Sequence, residues 1–202
     1  MGYQDFVIKN GEFIGRFEEM YQQFEDPWEQ STRELYCYEK TIGLEIIKNN
    51  NLNKVLELGC GHGHYTNKIK KFTSTAIGID VSESAINKAK INYPDCQFIV
   101  SDINNPDLYN DIDCIMMVEV TWYVLNKLDE FKKIISKYKG VSFFHTLNTY
   151  PQNVQKYGVD YFTNNEEIMK YFSDIIDIEE YGSLCKTTND GSIRNYFYGK
   201  IK

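Results

Sequence analysis

The 202-residue sequence predicts an α/β fold, with a mainly parallel sheet, helices on both faces and an antiparallel closing pair of strands. Two observations predict it. From Lys54 onward short apolar runs alternate with helical stretches, the pattern of repeated strand–helix units. Near the carboxyl end the alternation gives way to two extended runs separated by the turn-rich Thr187-Thr188-Asn189-Asp190-Gly191.

The strands are expected at Lys54–Leu58, Thr75–Asp80, Gln97–Ser101, Asp113–Val118 and Gly140–Thr146, with Ile175–Tyr181 and Arg194–Lys200 as the closing pair. Helix starts are legible from capping chemistry. Ser31-Thr32-Arg33-Glu34 and Thr163-Asn164-Asn165-Glu166 both fit a capping box, a hydroxyl facing the third amide and a Glu reaching back. The first should open a long helix ending near Asn49-Asn50-Asn51. Ser82 should cap another that Pro94 ends. The amino-terminal residues 1–30 are different. Phe6, Phe13, Phe17, Tyr21, Phe24 and Trp28 form a mixed, partly helical pattern, expected to be a lid segment ahead of a domain over 31–202.

Composition excludes several classes. Hydrophobic content of 42% and charged content of 25% are those of a soluble globular chain long enough to bury its own core. A net charge of −7 without a basic run argues against nucleic acid, since neutralising phosphates needs clustered Lys and Arg. Five scattered cysteines, never spaced as CxxC, suggest free thiols in a reducing compartment. No secretory signal or bilayer-length apolar run is visible, so a cytoplasmic protein without membrane partners is expected. No metal is expected, because the three His and the acids lack ligand spacing. The oligomeric state is not written in the sequence.

One constellation carries chemistry. Apolar Val55-Leu56 leads into Glu57, then glycines at 59, 61 and 63, then a helical stretch. A strand turning sharply into a helix needs residues without Cβ, so that backbone amides can approach a ligand. The next two strands end in Asp80 and Asp102. In an open parallel sheet ligands bind beyond the carboxyl ends of the strands, so the loop and both carboxylates converge on one crevice. A dinucleotide fingerprint would want G-x-G-x-x-G, but His64 stands where the third glycine belongs. No Walker lysine follows either.

Val55-Leu56-Glu57-Leu58-Gly59-Cys60-Gly61-His62-Gly63 resembles the first motif of class I S-adenosylmethionine-dependent methyltransferases. Ile77-Gly78-Ile79-Asp80-Val81-Ser82 resembles their second motif, Ser101-Asp102-Ile103 their third and Asp113–Val120 their fourth. The resemblance implies a Rossmann-like sheet of seven strands and S-adenosylmethionine as cofactor, leaving S-adenosylhomocysteine as product. It implies a cofactor set of Glu57, Gly59, Cys60, Gly61, Gly63, Asp80, Val81, Asp102, Ile103 and Glu119. Asp80 would hold the ribose hydroxyls and Asp102 the adenine amino group; helix or strand capping is the alternative for each acid.

On the acceptor side His145, ending the fifth strand, is the candidate base, against a buried, hydrogen-bonded role. Glu119, after the fourth strand, would serve as a second catalytic group or bind the methionine end. Tyr21, Trp28, Arg33, Trp122 and Tyr123 are candidate acceptor-binding residues, with ordinary aromatic packing as the alternative. His62 and His64 read as spacers. Phe24-Glu25-Asp26-Pro27-Trp28 followed by Tyr38-Glu39-Lys40 is similar to the start of small bacterial N-methyltransferases of the nodulation-factor and nucleotide-sugar type. The build also resembles methyltransferases of capsule clusters, implying a small-molecule acceptor, methylated on N or O. A phosphoramidate or sugar precursor is the finer expectation. An anionic acceptor would need Arg16, Arg33 or Arg194. Two rivals stand beside this reading: an aminopropyl transferase of the spermidine synthase type, expected to carry an acidic amine site after the fourth strand, and a non-catalytic cofactor-binding module.

Overall fold

The computed structural model describes residues 2–32, 37–151, 154, 156–185 and 191–202. The chain begins with a 3-10 turn at Tyr3–Phe6, a short hairpin of β1 (Ile8–Lys9) and β2 (Glu12–Phe13), and helix α1 (Phe17–Gln23). Helix α2 (Tyr38–Asn49) leads into β3 (Lys54–Leu58), followed by α3 (His64–Lys70), β4 (Thr75–Asp80), α4 (Glu83–Asn92) and β5 (Gln97–Val100). The second half comprises β6 (Cys114–Val118), α5 (Leu128–Ile135), β7 (Ser142–Thr149), α6 (Asn165–Phe172), β8 (Ile176–Cys185) and β9 (Ile193–Ile201).

Seven strands form one sheet in the order β5-β4-β3-β6-β7-β9-β8. Those from β3 to β7 are parallel, while β9 runs antiparallel between β7 and β8. The chain moves outward from β3 to β5 and returns to β6 beside β3, which sets the topological switch point between β3 and β6. The central strands are buried on both faces, which is why they read as continuous apolar runs. Strand alternation divides their side chains. Leu56, Leu58, Ile115, Met117, Phe143 and Leu147 pack against Phe131 of α5 and Phe172 of α6. Val55, Cys114, Met116 and Phe144 pack against Ile47 of α2, Ile69 of α3 and Ile86 of α4.

The expected fold is present, with three departures. Strand β7 continues to Thr149, three residues past the expected end, because Leu147, Asn148 and Thr149 pair with Asn195, Arg194 and Ile193 of β9. Helix α2 starts at Tyr38 with Cys37 at its cap and no side-chain cap bond. Instead of capping it, the Ser31 hydroxyl donates to Asp26 at 2.6 Å, and residues 33–36 of the expected box lie outside the described residues. The second capping box is shifted by one residue. Asn164 is the cap, accepting from the Glu167 amide at 3.0 Å, and Glu167 reaches back to the Thr163 amide at 2.6 Å. Ser82 caps α4 as expected, accepting from the Ala85 amide at 3.1 Å. The turn joining β8 to β9 falls largely outside the described residues.

Candidate functional site

Gly59, Gly61 and Gly63 all lie in the left-handed region, with φ of 66°, 54° and 80°, a conformation costly for residues carrying Cβ. Space is short as well: a Cβ on Gly59 would sit 2.5 Å from Val120, and one on Gly63 2.5 Å from Phe98. The bend is fastened from several sides. The Cys60 amide donates to the Ile79 carbonyl at 2.8 Å, and the Gly63 amide to the Cys60 carbonyl at 3.0 Å. The Gly61 amide donates to Asp80 Oδ2 at 2.9 Å, and the His62 amide to Gln30 Oε1 at 3.1 Å. The amides of residues 60–63 are therefore engaged within the protein rather than bare, and what the glycines provide is close approach.

Buried Glu57 accepts a hydrogen bond from Thr66 Oγ1 and braces the bend against α3. Cys60 is fully buried and packs in the core. Buried Asp80 accepts from the Gly61 and Ser82 amides, one on each oxygen. Burial raises its pKa, opposed by those amides and by that of Val81. Each oxygen retains acceptor capacity, so a vicinal diol is a chemically suitable further partner. Val81 is half-exposed beside it. Asp102 accepts from the Asn104 amide at 3.0 Å and is ion-paired with Lys127, while Ile103 is buried in the core. The bend and the two carboxylates thus meet at the ends of adjacent strands. A glycine backbone open to close approach beside a buried diol acceptor fits a nucleoside bearing an amino-acid side arm.

The amino-terminal segment covers this bend. Glu18 of α1 accepts from the Ser82 hydroxyl at 2.6 Å and from the Ser84 amide and hydroxyl at the start of α4. Burial would raise the Glu18 pKa, but these bonds and one from Gln22 hold it at about 2. Trp28 Nε1 donates to the Tyr21 hydroxyl at 2.8 Å, and the Trp28 ring lies 5.3 Å from that of Tyr123. Tyr21 also faces His62, with ring centroids 5.0 Å apart. Three of the expected acceptor residues, Tyr21, Trp28 and Tyr123, are therefore brought together. Arg33 lies outside the described residues. Trp122 does not join them: it is buried in the main core, packs on Phe162 and donates from Nε1 to the Asn148 carbonyl at 2.8 Å.

His145 is likewise a core residue. Because β7 runs on to Thr149, His145 sits within the strand instead of at its end, and alternation turns it to the α5–α6 face. Its ring stacks on Phe197 at 4.9 Å and its Nε2 pairs with Thr121 Oγ1 at 2.7 Å. Burial drops its pKa to about 3. The geometry removes the reason for expecting a base there, and the buried, hydrogen-bonded alternative describes its position.

Glu119 follows β6 in the left-handed region, with φ of 61°, a strained conformation for a residue with a side chain. Its carboxylate accepts from Thr146 Oγ1 at 3.1 Å and from the Asn148 amide. Burial, then the negative charge of Glu39, push its pKa up to about 7. Glu39 on α2 is 1% exposed, and its Oε2 lies 3.6 Å from Arg194 of β9. The motif reading noticed Glu39 but not this role, and it missed Gln30, Thr146 and Asn148. All four matter through contacts distant in sequence, so no local signal marks them. Arg16 sits on the exposed side of α1 beside Glu19. Among the described residues no group of His, Cys, Asp and Glu is placed to hold a metal ion, and no helix is long and apolar enough to cross a membrane.

A methyltransferase-domain family model matches residues 49–174. Over 106 residues the chain is 32% identical to a putative methyltransferase of Invertebrate iridescent virus 6, covering 52% of this chain and 39% of that protein. Over 98 residues it is 29% identical to phosphoethanolamine N-methyltransferase of Triticum aestivum, covering 46% and 19%. These matches span less than half of either relative. Among solved structures, N-methyltransferase NodS from Bradyrhizobium japonicum WM9 in complex with S-adenosyl-L-homocysteine superposes with a TM-score of 0.73 at 15% identity, covering 91% of this chain and 97% of NodS. An S-adenosylmethionine-dependent methyltransferase from Clostridium acetobutylicum ATCC 824 superposes at 0.66 with 16% identity, covering 91% and 98%. At these identities the likeness to the structures is one of fold.

Proposed function

The chain belongs to the methyltransferase-domain family, and from that premise we propose that it transfers the methyl group of S-adenosylmethionine to a nitrogen or oxygen of a small polar molecule. The observation that carries this reading is the three-glycine bend fastened to Asp80 beside the switch point. Gly59, Gly61 and Gly63 give the methionine arm room, Asp80 takes the ribose hydroxyls, and Asp102 with Val81 and Ile103 flanks the adenine. Glu57 and Cys60 act beneath the bend as positioning residues. Residues 1–30 act as the lid over the domain 31–202.

The cofactor supplies a methyl group already activated on sulfonium sulfur, so the chain's main task is alignment, worth roughly 7–11 kcal/mol of barrier when fully realised. Tyr21, Trp28 and Tyr123 line the acceptor side and exclude water there. A sugar precursor of capsule biosynthesis lies within this reading. A phosphoramidate draws no support from the described arginines, since Arg194 is committed to Glu39 and Arg16 lies outside the crevice. An aminopropyl transferase would use the same bend and could exploit the acids after β6, but the family match favours methyl transfer.

Calorimetry with S-adenosylhomocysteine tests the reading. The wild-type protein should bind it, and Asp80→Ala should weaken binding at least tenfold, as expected for loss of charge-assisted hydrogen bonds worth about 1.5–3 kcal/mol each. Binding of NADH in its place, or unchanged affinity in a folded Asp80→Ala protein, would refute it.

A further inference from the structure

We propose that Glu39, Glu119 and Asn148 form the acceptor subsite and that the acceptor it takes is an amine, a deepening that rests on the methyltransferase reading above. Three elements build the subsite. Glu119 follows β6, Asn148 stands at the carboxyl end of β7, and Glu39 comes from α2. Alternation puts Thr146 and Asn148 on the α2 face of β7, opposite His145, and register sets Asn148 beside Arg194. The contacts then run from Glu119 to Thr146, across Asn148 to Arg194, and from Arg194 to Glu39.

What the cluster lacks is donors. Glu39 Oε2 is buried and accepts no hydrogen bond among the described residues, with Arg194 Nη1 3.6 Å away. Asn148 Oδ1 is also buried and accepts none among the described residues. No described cation lies within 4 Å of the Glu119 carboxylate. Lys40 faces Glu119 from α2, but its ammonium sits over the Tyr65 ring, 5.6 Å from the centroid. Buried acceptors left unsatisfied are costly, and two of them beside the Glu119 carboxylate ask for a ligand rich in N–H. An ammonium group offers three donors and no acceptor, an alcohol one donor, and an anion none.

The aromatic side agrees. Tyr123 feels the charge of Glu119 and packs beside Trp28, tilted, and Phe17, edge-on, with centroids 5.3 and 5.7 Å away. Aromatic faces beside carboxylates favour cations. In the transfer the bound ammonium first yields a proton to Glu119. The freed nitrogen lone pair then forms the N–C bond as the C–S bond breaks, its electron pair passing to sulfur, and Glu119 releases its proton to solvent. Glu119 thus acts as the catalytic base, while Glu39 and Asn148 hold the nitrogen.

The test titrates the full-length protein, with and without S-adenosylhomocysteine, with ethanolamine and glucosamine against their hydroxyl counterparts ethylene glycol and glucose, following chemical shifts. The amines should saturate and the counterparts should not. Glu39→Gln and Glu119→Gln, isosteric changes whose folding is checked by circular dichroism, should each lose at least tenfold in amine affinity. Glu39→Gln should keep S-adenosylhomocysteine affinity within twofold; if it fails to fold, Glu119→Gln carries the amine comparison. Equal binding of amines and hydroxyl counterparts, absence of amine binding, or unchanged amine affinity in the folded variants would overturn the proposal. So would a parallel fall in cofactor-product affinity in Glu39→Gln, since the carboxylate would then hold the ammonium of the methionine arm. A wild-type protein that binds no S-adenosylhomocysteine would instead sink the methyltransferase reading, leaving the amine comparison to be judged without it.

Discussion

Burial moves both Glu119 and His145 away from their ordinary behaviour, and they separate in opposite senses for function. Burial and the nearby Glu39 charge raise Glu119 to about 7, against the partial relief given by Lys40, Thr146 and the Asn148 amide. An acid whose pKa is raised on folding adds stability below its unfolded value near 4.5, and that contribution is lost as pH rises through about 7. The loss amounts to about 3 kcal/mol. Wild-type stability should therefore decline over that window relative to Glu119→Gln, as denaturant titrations at pH 4.5 and 8 would reveal. In catalysis the sign reverses, because the base must be ionised. The kcat/KM of wild type should rise with pH through about 7, and Glu119→Gln should lack that limb. His145, pushed down to about 3 and closed among Phe143, Phe172 and Phe197, stays neutral across the working range. His145→Gln should lower stability by about 1–3 kcal/mol through loss of the Thr121 bond, with kcat/KM within threefold of wild type. A hundredfold loss in a folded variant would restore it as a catalytic group.

Elements meet at α1 and α4, where Glu18 serves the start of a helix from another part of the chain. Its carboxylate takes the Ser84 amide and both serine hydroxyls, placing negative charge at the positive end of α4. Held at about 2, this group contributes stability above its ordinary pKa near 4.5, and the contribution fades as pH falls through about 2. Glu18→Ala should cost about 1–2 kcal/mol at pH 7, allowing for the water around a partly exposed carboxylate. It should also quicken amide exchange in α1 before the sheet is affected. The same scale shows what the sequence could disclose. Strands β3, β4 and β6 were legible to within a residue because burial on both faces leaves an apolar run in the local sequence, and β5 through its Phe98-Ile99-Val100 run, although only Phe98 of it is buried. The last three residues of β7 were not, since Leu147-Asn148-Thr149 are ordered by β9, about 45 residues later in the chain. That single extension moved His145 from the strand end into the core and put Asn148 in its place. The glycine bend and its two acids were readable because left-handed glycines and terminal acids are local demands. The cluster proposed as the acceptor side was not, because Glu39, Thr146, Asn148 and Arg194 converge only once the sheet is closed.

At the scale of the whole molecule the amino-terminal segment and the sheet form one mechanical unit, and the junction is Gln30. Its Oε1 holds the His62 amide at 3.1 Å and its Nε2 reaches the Cys60 carbonyl at 3.5 Å, so one side chain occupies both polarities of the glycine bend. A Cβ on Gly61 would meet Gln30 Oε1 at 2.8 Å and the Tyr21 hydroxyl at 2.7 Å, a measure of how closely the segment lies upon the loop. Further back it is anchored by Glu18 and by the Lys88 ammonium, which donates to the Glu25 carbonyl at 2.7 Å. A ligand entering the bend must compete with Gln30 for the His62 amide, whereas Glu18 and Lys88 can keep the segment docked. A hydrogen bond of ordinary net worth, about 1 kcal/mol, makes the open form roughly fivefold rarer than it would be without the bond. Gln30→Ala should therefore bind S-adenosylhomocysteine about fivefold faster in stopped-flow mixing. Glu18→Ala, which loosens the anchor without freeing the amide, should change the association rate much less. Equal acceleration in both variants would mean that the whole segment swings away before binding, and an unchanged rate in Gln30→Ala would mean that the His62 amide is not on the path of entry.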